Sequence, residues 1–341
     1  MHLTNTLSSL SLSASLAVSI YTGLSTADVY DGGCKGNNPV KLRIGNGGAG
    51  QSGLVKVLAD TFIRNQTDDC NDTSGIFKVE WVKGDTTETI NNLKAKTIDV
   101  GITYHKTAES IAISNGFASG CKYKDENSTT PCFGSDCKDH IERPCYTFRD
   151  HFYLAGPKNN TAGIKDEDDI VETFSKLYNA AENGTARFLS RYDKSATNIK
   201  DSELWIGIGQ VPWAIAYSKW YHQYMDYPIQ ALKAAITLHE YTVTDRGTFL
   251  TLGNQDKSLT DKIQIYKRGE DYNELLNPAD IIIAAKSENK AVAEEFVQWV
   301  LSPQGQEVIV NFHKDGYCLY RGFPTDDDDD LEATDCKWEL S

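Results

Sequence analysis

Residues 39–104 alternate between strand-like and helix-like segments, and this alternation limits the folds open to the chain more than any other feature. The stretches PVKLRIGN, IFKVEWV and IDVGITY have the composition of strands. The segments between them, SGLVKVLADTFIRNQ and ETINNLKAK, are predicted helices, and the first places Leu54, Val57, Leu58 and Phe62 on one helical stripe. A β-α-β-α-β order predicts an α/β fold with a mostly parallel sheet, whose ligands lie beyond the carboxyl ends of strands.

A glycine-rich turn follows the first predicted strand. Gly45, Gly47 and Gly50 match the GxGxxG pattern of dinucleotide sites in form, but the acidic residue expected at the end of the next strand is missing. Three interpretations stay open: a tight strand-to-helix turn, a cradle of backbone N–H groups for another anion, and a dinucleotide site. The candidate ligand-binding residues beyond the strand ends are Asn46, Gly47, Gly48, Gly84 and Tyr104.

The second half of the chain repeats this architecture. DHFYLAGP, ARFLSRYD and ADIIIAAK are predicted strands, and DIVETFSKLYNAAENG and DSELWIGIG are predicted helices. WAIAYSKWYHQYM, residues 213–225, is predicted as an aromatic-rich helix that belongs to a core. The chain is longer than one core usually organises, so two lobes are expected.

The segment RYDKSATNIKDSELW, residues 191–205, gathers a cation, two hydroxyls and the predicted start of a helix. In one interpretation Asp193 pairs with Arg191, while Ser195 and Thr197 only satisfy the first N–H groups of the helix. In the other, the guanidinium, the free N–H groups and the helix dipole together bind an anion. These residues alone leave both interpretations open.

The first 27 residues contain no Lys, Arg, Asp or Glu and end in a small-x-small pattern. This composition predicts a signal peptide over residues 1–27, with a buried N-terminal helix as the alternative. Five Asn-x-Thr sequons favour a eukaryotic secretory route and a secreted, extracellular product. The expected glycosylation sites are Asn65, Asn71, Asn127, Asn159 and Asn183.

All eight cysteines lie after this leader. An even number in an exported chain predicts disulfides, and the absence of a C-x-x-C pair argues against zinc. Cys34 with Cys70 and Cys318 with Cys336 are expected to close loops at the two ends of the chain. The other four are expected to pair among themselves: Cys121, Cys132, Cys137 and Cys145.

The formal net charge of −14 limits the partners of the chain. Nucleic acids and anionic membranes bind proteins with excess Lys and Arg, so neither is expected as a partner. No further run of 18 apolar residues follows the leader, so membrane insertion is not expected. The DDDDD run at 326–330 is interpreted as a solvated loop rather than a calcium site, and no metal or cofactor is expected.

Five motifs, in order, resemble those of the periplasmic-type solute-binding proteins for tungstate and molybdate. An SGL helix start falls on residues 52–54, and RPxxxNDFxLVGP resembles RPCYTFRDHFYLAGP at 143–157. SRGDxSGT resembles SRYDKSAT at 190–197, and YTLTDRGTYL resembles YTVTDRGTFL at 241–250. LLNP and SPxGQ segments complete a match that covers about residues 41–312.

The resemblance implies a two-lobed type II clamshell with mixed, mostly parallel sheets. Lobe one would comprise residues 28–150 plus 280–341, and lobe two residues 151–279. An oxyanion would lie in the cleft between the lobes, held by uncharged donors, helix N-termini and an arginine. Transferred through the motifs, the ligand-binding residues are Ser52, Arg191, Ser195, Thr197 and Arg246, the last with an alternative role as a structural brace paired to Asp245.

The chain departs from the family at three places. Gly45–Gly50 replaces the threonine-rich TTTS loop, which leaves the ligand and the size of its pocket open. Tyr192 and Ala196 stand where the motif has glycine, and residues 121–140 resemble an insertion.

The leading hypothesis is a secreted, non-enzymatic and monomeric binder of a tetrahedral oxyanion such as tungstate or molybdate, with phosphate and sulfate as alternatives. No importer that would receive the ligand is identifiable from the sequence. Two hypotheses come from other classes: an enzyme that reuses the clamshell, with His105 as a candidate, and an interaction protein whose cleft is vestigial. The histidines form no H-x-x-x-H pair, and no G-x-S-x-G elbow occurs, which counts against the enzyme.

Overall fold

The computed structural model describes residues 27–72, 75–133, 135–323 and 333–340. Except for Ala27, the predicted signal peptide lies outside these residues, as does the DDDDD run. Within the described part of the chain, no helix combines the length and the apolar character needed to cross a bilayer.

Strands and helices alternate along most of the chain. The strands are β1 Asp28–Tyr30, β2 Val40–Asn46, β3 Lys78–Lys83, β4 Val100–Thr103, β5 Ala118–Ser119, β6 Cys121–Tyr123, β7 Ile141–Arg143, β8 Cys145–Pro157, β9 Phe188–Ser190, β10 Tyr221–Gln223, β11 Tyr241–Asp245, β12 Ile263–Arg268, β13 Leu276–Ala284, β14 His313–Lys314, β15 Tyr317–Cys318 and β16 Arg321–Gly322. The helices are α1 Gly48–Ser52, α2 Leu54–Gln66, α3 Thr86–Ala95, α4 Lys106–Ser114, α5 Ile170–Glu182, α6 Ala196–Gly207, α7 Pro228–Leu238, α8 Arg246–Gln255, α9 Lys257–Thr260, α10 Lys290–Val300 and α11 Pro303–Val310.

The main sheet has the strand order β1-β3-β2-β4-β13-β8-β11-β9-β10. β2 pairs in parallel with β3 and β4, as the alternating pattern predicts, and β9 pairs in parallel with β10 and β11. β8 and β13 are antiparallel to each other and to their other partners. The sheet is therefore mixed, and parallel pairing is confined to these two groups of strands rather than prevailing throughout.

Two hydrophobic cores lie on the two halves of this sheet. The first takes its buried residues from 34–148 and 279–323, together with Leu250, and the second takes them from 152–275. Strand β8 runs through both halves: its first part pairs with β13, and its second part pairs with β11 and β12. The chain enters the second lobe along β8 and returns to the first lobe along β13.

The prediction of a helix over residues 213–225 is wrong. Pro212–Ala214 forms one 3-10 turn, and Tyr221–Gln223 is the edge strand β10. Tyr221 lies beside Phe188 in the parallel ladder, and their rings stack with centroids 6.0 Å apart. Packing in the second core therefore determines the conformation of this aromatic segment, although its local pattern predicts a helix.

Four disulfides join the cysteines as expected: Cys34–Cys70, Cys121–Cys145, Cys132–Cys137 and Cys318–Cys336. Cys132–Cys137 lies in the segment that resembles an insertion, and Cys121–Cys145 joins the start of that segment to β8. Strands β6 and β7 form a separate two-stranded sheet there. The last one ties the C-terminal segment to β15.

Candidate functional site

A cleft of about 360 Å³ lies between the two halves of the sheet. Its walls come from the ends of β2, β3 and β4 in the first lobe and from the starts of α6 and α7 in the second. Seven of the residues predicted from the sequence line it: Gly47, Gly48, Gly84, Tyr104, Arg191, Ser195 and Thr197.

Arg191 provides a buried guanidinium in the second-lobe wall, with 8% of the residue exposed. Its Nη2 donates to the carboxylate of Asp193, and its Nε donates to the Asp226 carbonyl at 3.2 Å. Its Nη1 lies 3.4 Å from the hydroxyl of Thr197, to which it donates. Asp193 pairs with Arg191, as the interpretation of a simple capped helix predicts. The pair also lines the cleft, as the interpretation of an anion site requires.

Helix α6 begins at the same wall. Its N-cap is Ser195, whose hydroxyl accepts from the N–H of Asn198 at 3.3 Å. The N–H groups of Ala196 and Thr197 lie in the first turn, where an α-helix offers no internal acceptor. Among the described residues they have no hydrogen-bond partner, so this helix start presents free donors to the cleft.

The turn that leads from Arg191 into α6 uses left-handed backbone conformations. Tyr192 has φ 49° and Lys194 has φ 63°. Tyr192 stands where the family motif has glycine, the residue that adopts such angles at no steric cost. The chain therefore keeps the turn despite the substitution.

The first-lobe wall is made by two turns that approach each other closely. A Cβ on Gly47 would lie 3.0 Å from the carbonyl oxygen of Gly84, whereas one on Gly48 would meet nothing within 4 Å. Because Gly47 has no side chain, the two turns can pack together. Gly48 leaves the cleft open above the first turn of α1.

Thr86 was not a sequence candidate, yet it presents a hydroxyl to this wall. It is 5% exposed, lines the cleft, and has an Oγ1 with no hydrogen-bond partner in the described part of the chain. It is the first residue of α3, whose N-cap Asp85 forms a capping box with Glu88. The sequence feature that could have pointed to Thr86 is the D-x-x-E capping pattern just beyond β3.

The floor of the cleft lies where β8 and β13 cross between the lobes. Asp150 and Asn277 are direct neighbours in the antiparallel ladder, and they are 3% and 5% exposed. Asp245 joins them from the end of β11 and caps α8 by accepting from the N–H and hydroxyl of Thr248 at 2.7 and 2.6 Å. Asp150 and Asn277 belong to the RPxxxND and LLNP motifs, but the sequence analysis gave them no role.

Three sequence candidates do not line the cleft. Asn46 is fully buried and holds the turn together, because its side chain donates to the Ile102 carbonyl at 2.9 Å and accepts from Gly50 N–H at 2.7 Å. Ser52 is buried against Tyr320, with the two hydroxyl oxygens 2.8 Å apart.

Arg246 is the third sequence candidate that does not line the cleft, and it is 1% exposed. It pairs with Glu270 at 2.6 Å, hydrogen-bonds Tyr153, and donates to the carbonyls of Cys318 and Trp338 at 2.7 and 2.8 Å. It is a structural brace, as one alternative held, but its carboxylate partner is Glu270 rather than Asp245.

Two contacts beside the cleft join residues of the first lobe to residues of the second. The Lys83 ammonium lies 3.3 Å from the centre of the Tyr227 ring. The Thr87 hydroxyl donates to the Lys194 carbonyl at 3.2 Å. Lys83 and Thr87 belong to the first lobe, and both partners belong to the second.

The cleft is acidic. Among the described residues that line it, six carry carboxyl groups against the one guanidinium of Arg191: Asp85, Glu88, Asp150, Asp193, Asp226 and Asp245. Burial raises the pKa of Asp85 and, more strongly, the pKa of Asp150. No group of three or more His, Cys, Asp or Glu side chains in the described part of the chain is placed to hold a metal ion.

A family model described as a PBP superfamily domain matches residues 34–304. The chain belongs to the PBP superfamily. Among solved structures, a periplasmic protein for which metal binding has been proposed is 49% identical; the alignment covers 87% of this chain and 99% of that one, with a TM-score of 0.72. The tungstate-binding protein TupA of Desulfovibrio alaskensis has the same fold, with a TM-score of 0.61 at 23% identity over 84% of this chain and 98% of its own.

Curated relatives of this PBP chain match over shorter lengths. The tungstate-binding protein TupA of Peptoclostridium acidaminophilum is 28% identical over 197 residues, which are 52% of this chain and 59% of the relative. A proposed anion-binding protein of an ABC transporter from Haloferax volcanii is 30% identical over 185 residues, 53% of this chain and 51% of the relative. The chain thus spans between half and three fifths of these two relatives. They confirm the resemblance to the tungstate-binding family.

Proposed function

We propose that this PBP protein is a solute-binding protein whose cleft holds a tetrahedral oxyanion of the tungstate or molybdate type. The observation that carries the proposal is the buried guanidinium of Arg191 beside the first turn of α6. A guanidinium, free N–H groups and the positive end of a helix dipole all favour an anion at the same point. The tungstate-binding relatives support the same ligand class.

Both lobes offer donors to such an anion. The first lobe offers the N–H of Gly48 and the hydroxyl of Thr86, and the second offers Arg191 with the N–H groups of Ala196 and Thr197. Each hydrogen bond to a charged group contributes about 1.5–3 kcal/mol. Three or four of them, less the cost of closing the lobes, are enough for roughly micromolar affinity, about −8.2 kcal/mol.

The carboxylates of the cleft are compatible with an anion because several of them already have partners. Asp85 and Asp245 accept N–H groups as helix N-caps. Asp193 holds Arg191, and Asp226 accepts the N–H of Tyr227 at 2.7 Å. In these positions they orient the donors of the site rather than presenting unpaired charge to the ligand.

A metal cation is the second candidate ligand. The acidic lining and the 49% identical relative for which metal binding has been proposed favour it. Against it stands the lack of any three-ligand group among the described side chains. A metal oxyanion such as tungstate would reconcile both kinds of relative, and we therefore place it first.

Isothermal titration calorimetry with sodium tungstate, sodium molybdate, sulfate, phosphate and the chlorides of Mn²⁺ and Zn²⁺ tests the proposal. We expect Arg191→Ala to weaken tungstate binding about 10- to 150-fold, the equivalent of one charge-assisted hydrogen bond. Arg187→Ala is the matched control, because it removes the same charge from a half-exposed guanidinium that lies outside the cleft in the same lobe. Binding of the cations alone, or equal tungstate affinity in both variants, would contradict the proposal.

The remaining expectations from the sequence stand as part of the proposal. We infer a binding rather than a catalytic role, an extracytoplasmic and secreted location, and lobes bounded at residues 28–150 plus 280–341 and 151–279. Glycosylation is proposed at five asparagines that are all exposed, as carriers of bulky glycans must be: Asn65, Asn71, Asn127, Asn159 and Asn183.

A further inference from the structure

Asp150 is a buried carboxyl group at the floor of the cleft, and Arg246, the cation near it, is paired with Glu270. It is 3% exposed and lines the cleft. Its Oδ1 accepts from the N–H of His151 at 2.7 Å. A carboxyl group buried in this way needs further hydrogen-bond partners, and the cleft is where a ligand can supply one.

The groups around Asp150 do not favour a negative charge there. Asp245 and Glu270 are the nearby carboxylates, and Arg246 is the nearby cation, but its guanidinium is engaged by Glu270. Tyr104 and Tyr320 also face Asp150, and burial raises the pKa of both phenols, which keeps them neutral. Burial lowers the pKa of His151 to about 3, so the adjacent imidazole is uncharged as well.

Burial, and secondly the charge of Asp245, raise the pKa of Asp150 well above the usual range of a carboxyl group. Asp245 accepts from the N–H and hydroxyl of Thr248 as the N-cap of α8, whereas Asp150 accepts the backbone N–H of His151 and is buried. Burial and a neighbouring carboxyl group both favour the neutral form of Asp150.

We propose that Asp150 binds the oxyanion as a hydrogen-bond donor, through the O–H of its neutral carboxyl group. This inference rests on the proposed function. A carboxylate has no proton to donate and would repel the ligand, whereas a carboxylic acid offers one O–H donor. Asn277, its neighbour in the β8–β13 ladder, lines the same floor and presents a second uncharged group.

The role of Asp150 makes oxyanion affinity depend on pH with a definite sign. The anion binds the protonated acid better than the carboxylate, so affinity is greatest below the pKa of Asp150 in the free protein. Above that pKa, the proton must be taken up on binding, and affinity falls by up to about tenfold per pH unit, the limit for one linked proton.

Calorimetric titration with sodium molybdate, which stays a dianion from pH 6 to pH 10, measures this dependence. We expect the wild-type affinity to fall on the alkaline side. Asp150→Asn should keep an affinity within about threefold of wild type at pH 6 and should lose the alkaline decline, because its amide donates at every pH. Asp280→Asn is the matched control: this carboxyl is equally buried, at 3% exposed, but lies away from the cleft, and the variant should retain the decline.

The outcomes separate this inference from the proposed function. If wild type binds molybdate with the same affinity from pH 6 to pH 10, or if Asp150→Asn keeps the wild-type decline, the donor role of Asp150 is overturned while oxyanion binding stands. If wild type binds neither molybdate nor tungstate at any pH, the proposed function fails and this inference fails with it. The wild-type profile alone can overturn the donor role, so the test does not depend on the variants folding.

Discussion

The contact between Lys83 and Tyr227 should hold the lobes closed over the ligand. The ammonium of Lys83, at the end of β3, lies 3.3 Å from the centre of the Tyr227 ring at the start of α7. Tyr227 lines the cleft, so the contact closes it on one side. We expect Lys83→Met and Tyr227→Leu each to weaken the binding of molybdate, because each removes an interaction that exists only between the closed lobes.

The magnitude follows from the surroundings of the pair. Burial lowers the pKa of Lys83, which shows that the ammonium is partly desolvated. Cation–π contacts contribute about 0.5–1 kcal/mol at exposed sites and about 2 kcal/mol when desolvated, so about 1–2 kcal/mol is expected here. When the open state dominates without ligand, the full amount appears in the dissociation constant, as about 5- to 30-fold weaker binding.

Calorimetry on the two variants and on the double variant distinguishes a closing contact from a simple effect of charge. Lys83→Met also removes a cation near the anion, but Tyr227→Leu keeps that cation. Two residues that act through one contact should give a double variant no weaker than the stronger single variant. Lys56→Met is the matched control, since Lys56 lies over the ring of Tyr30 within the first lobe, 5.6 Å from its centre.

Additive losses in the double variant would refute this reasoning. So would full affinity in Tyr227→Leu together with a loss in Lys83→Met, because the lysine would then act through its charge alone. Small-angle scattering gives an independent measure: with molybdate at the wild-type dissociation constant, the radius of gyration should be larger in both variants than in wild type and unchanged in Lys56→Met.

Two further substitutions test the walls of the cleft and the brace behind it. Thr86→Val should weaken molybdate binding about 10- to 150-fold, the equivalent of one hydrogen bond of about 1.5–3 kcal/mol to a charged group, without lowering the melting temperature, because the hydroxyl has no partner among the described residues; a loss of stability at unchanged affinity would contradict this. Arg246→Met should lower the free energy of unfolding in urea by about 3–5 kcal/mol, since Glu270 would keep a charge without its partner. Stability within 1 kcal/mol of wild type would argue against the brace.

The sequence by itself determined the order of the elements and the local chemistry of several turns. Period and composition placed β2, β3 and β4 with their helices, because a strand or helix pattern depends on neighbours within a few residues. Spacing along the chain predicted two of the disulfides and grouped the other four cysteines, and the disulfides close loops of 5 to 36 residues. Arg191 and Ser195 lie close together in the sequence, so the sequence alone marked them as one unit at the start of α6.

Only the tertiary structure decided which polar residues face the ligand and which brace the fold. Arg246 and Asn46 have side chains of the kind that bind ligands. Their hydrogen-bond partners lie 24 to 93 positions away for Arg246 and up to 58 away for Asn46, and these contacts bury both residues outside the cleft. Asp150 and Asn277 become neighbours only because β8 and β13 pair across more than a hundred residues. The charge of a buried carboxyl depends on burial and on such distant neighbours, so the sequence pattern could not reveal the neutral acid at the floor of the cleft.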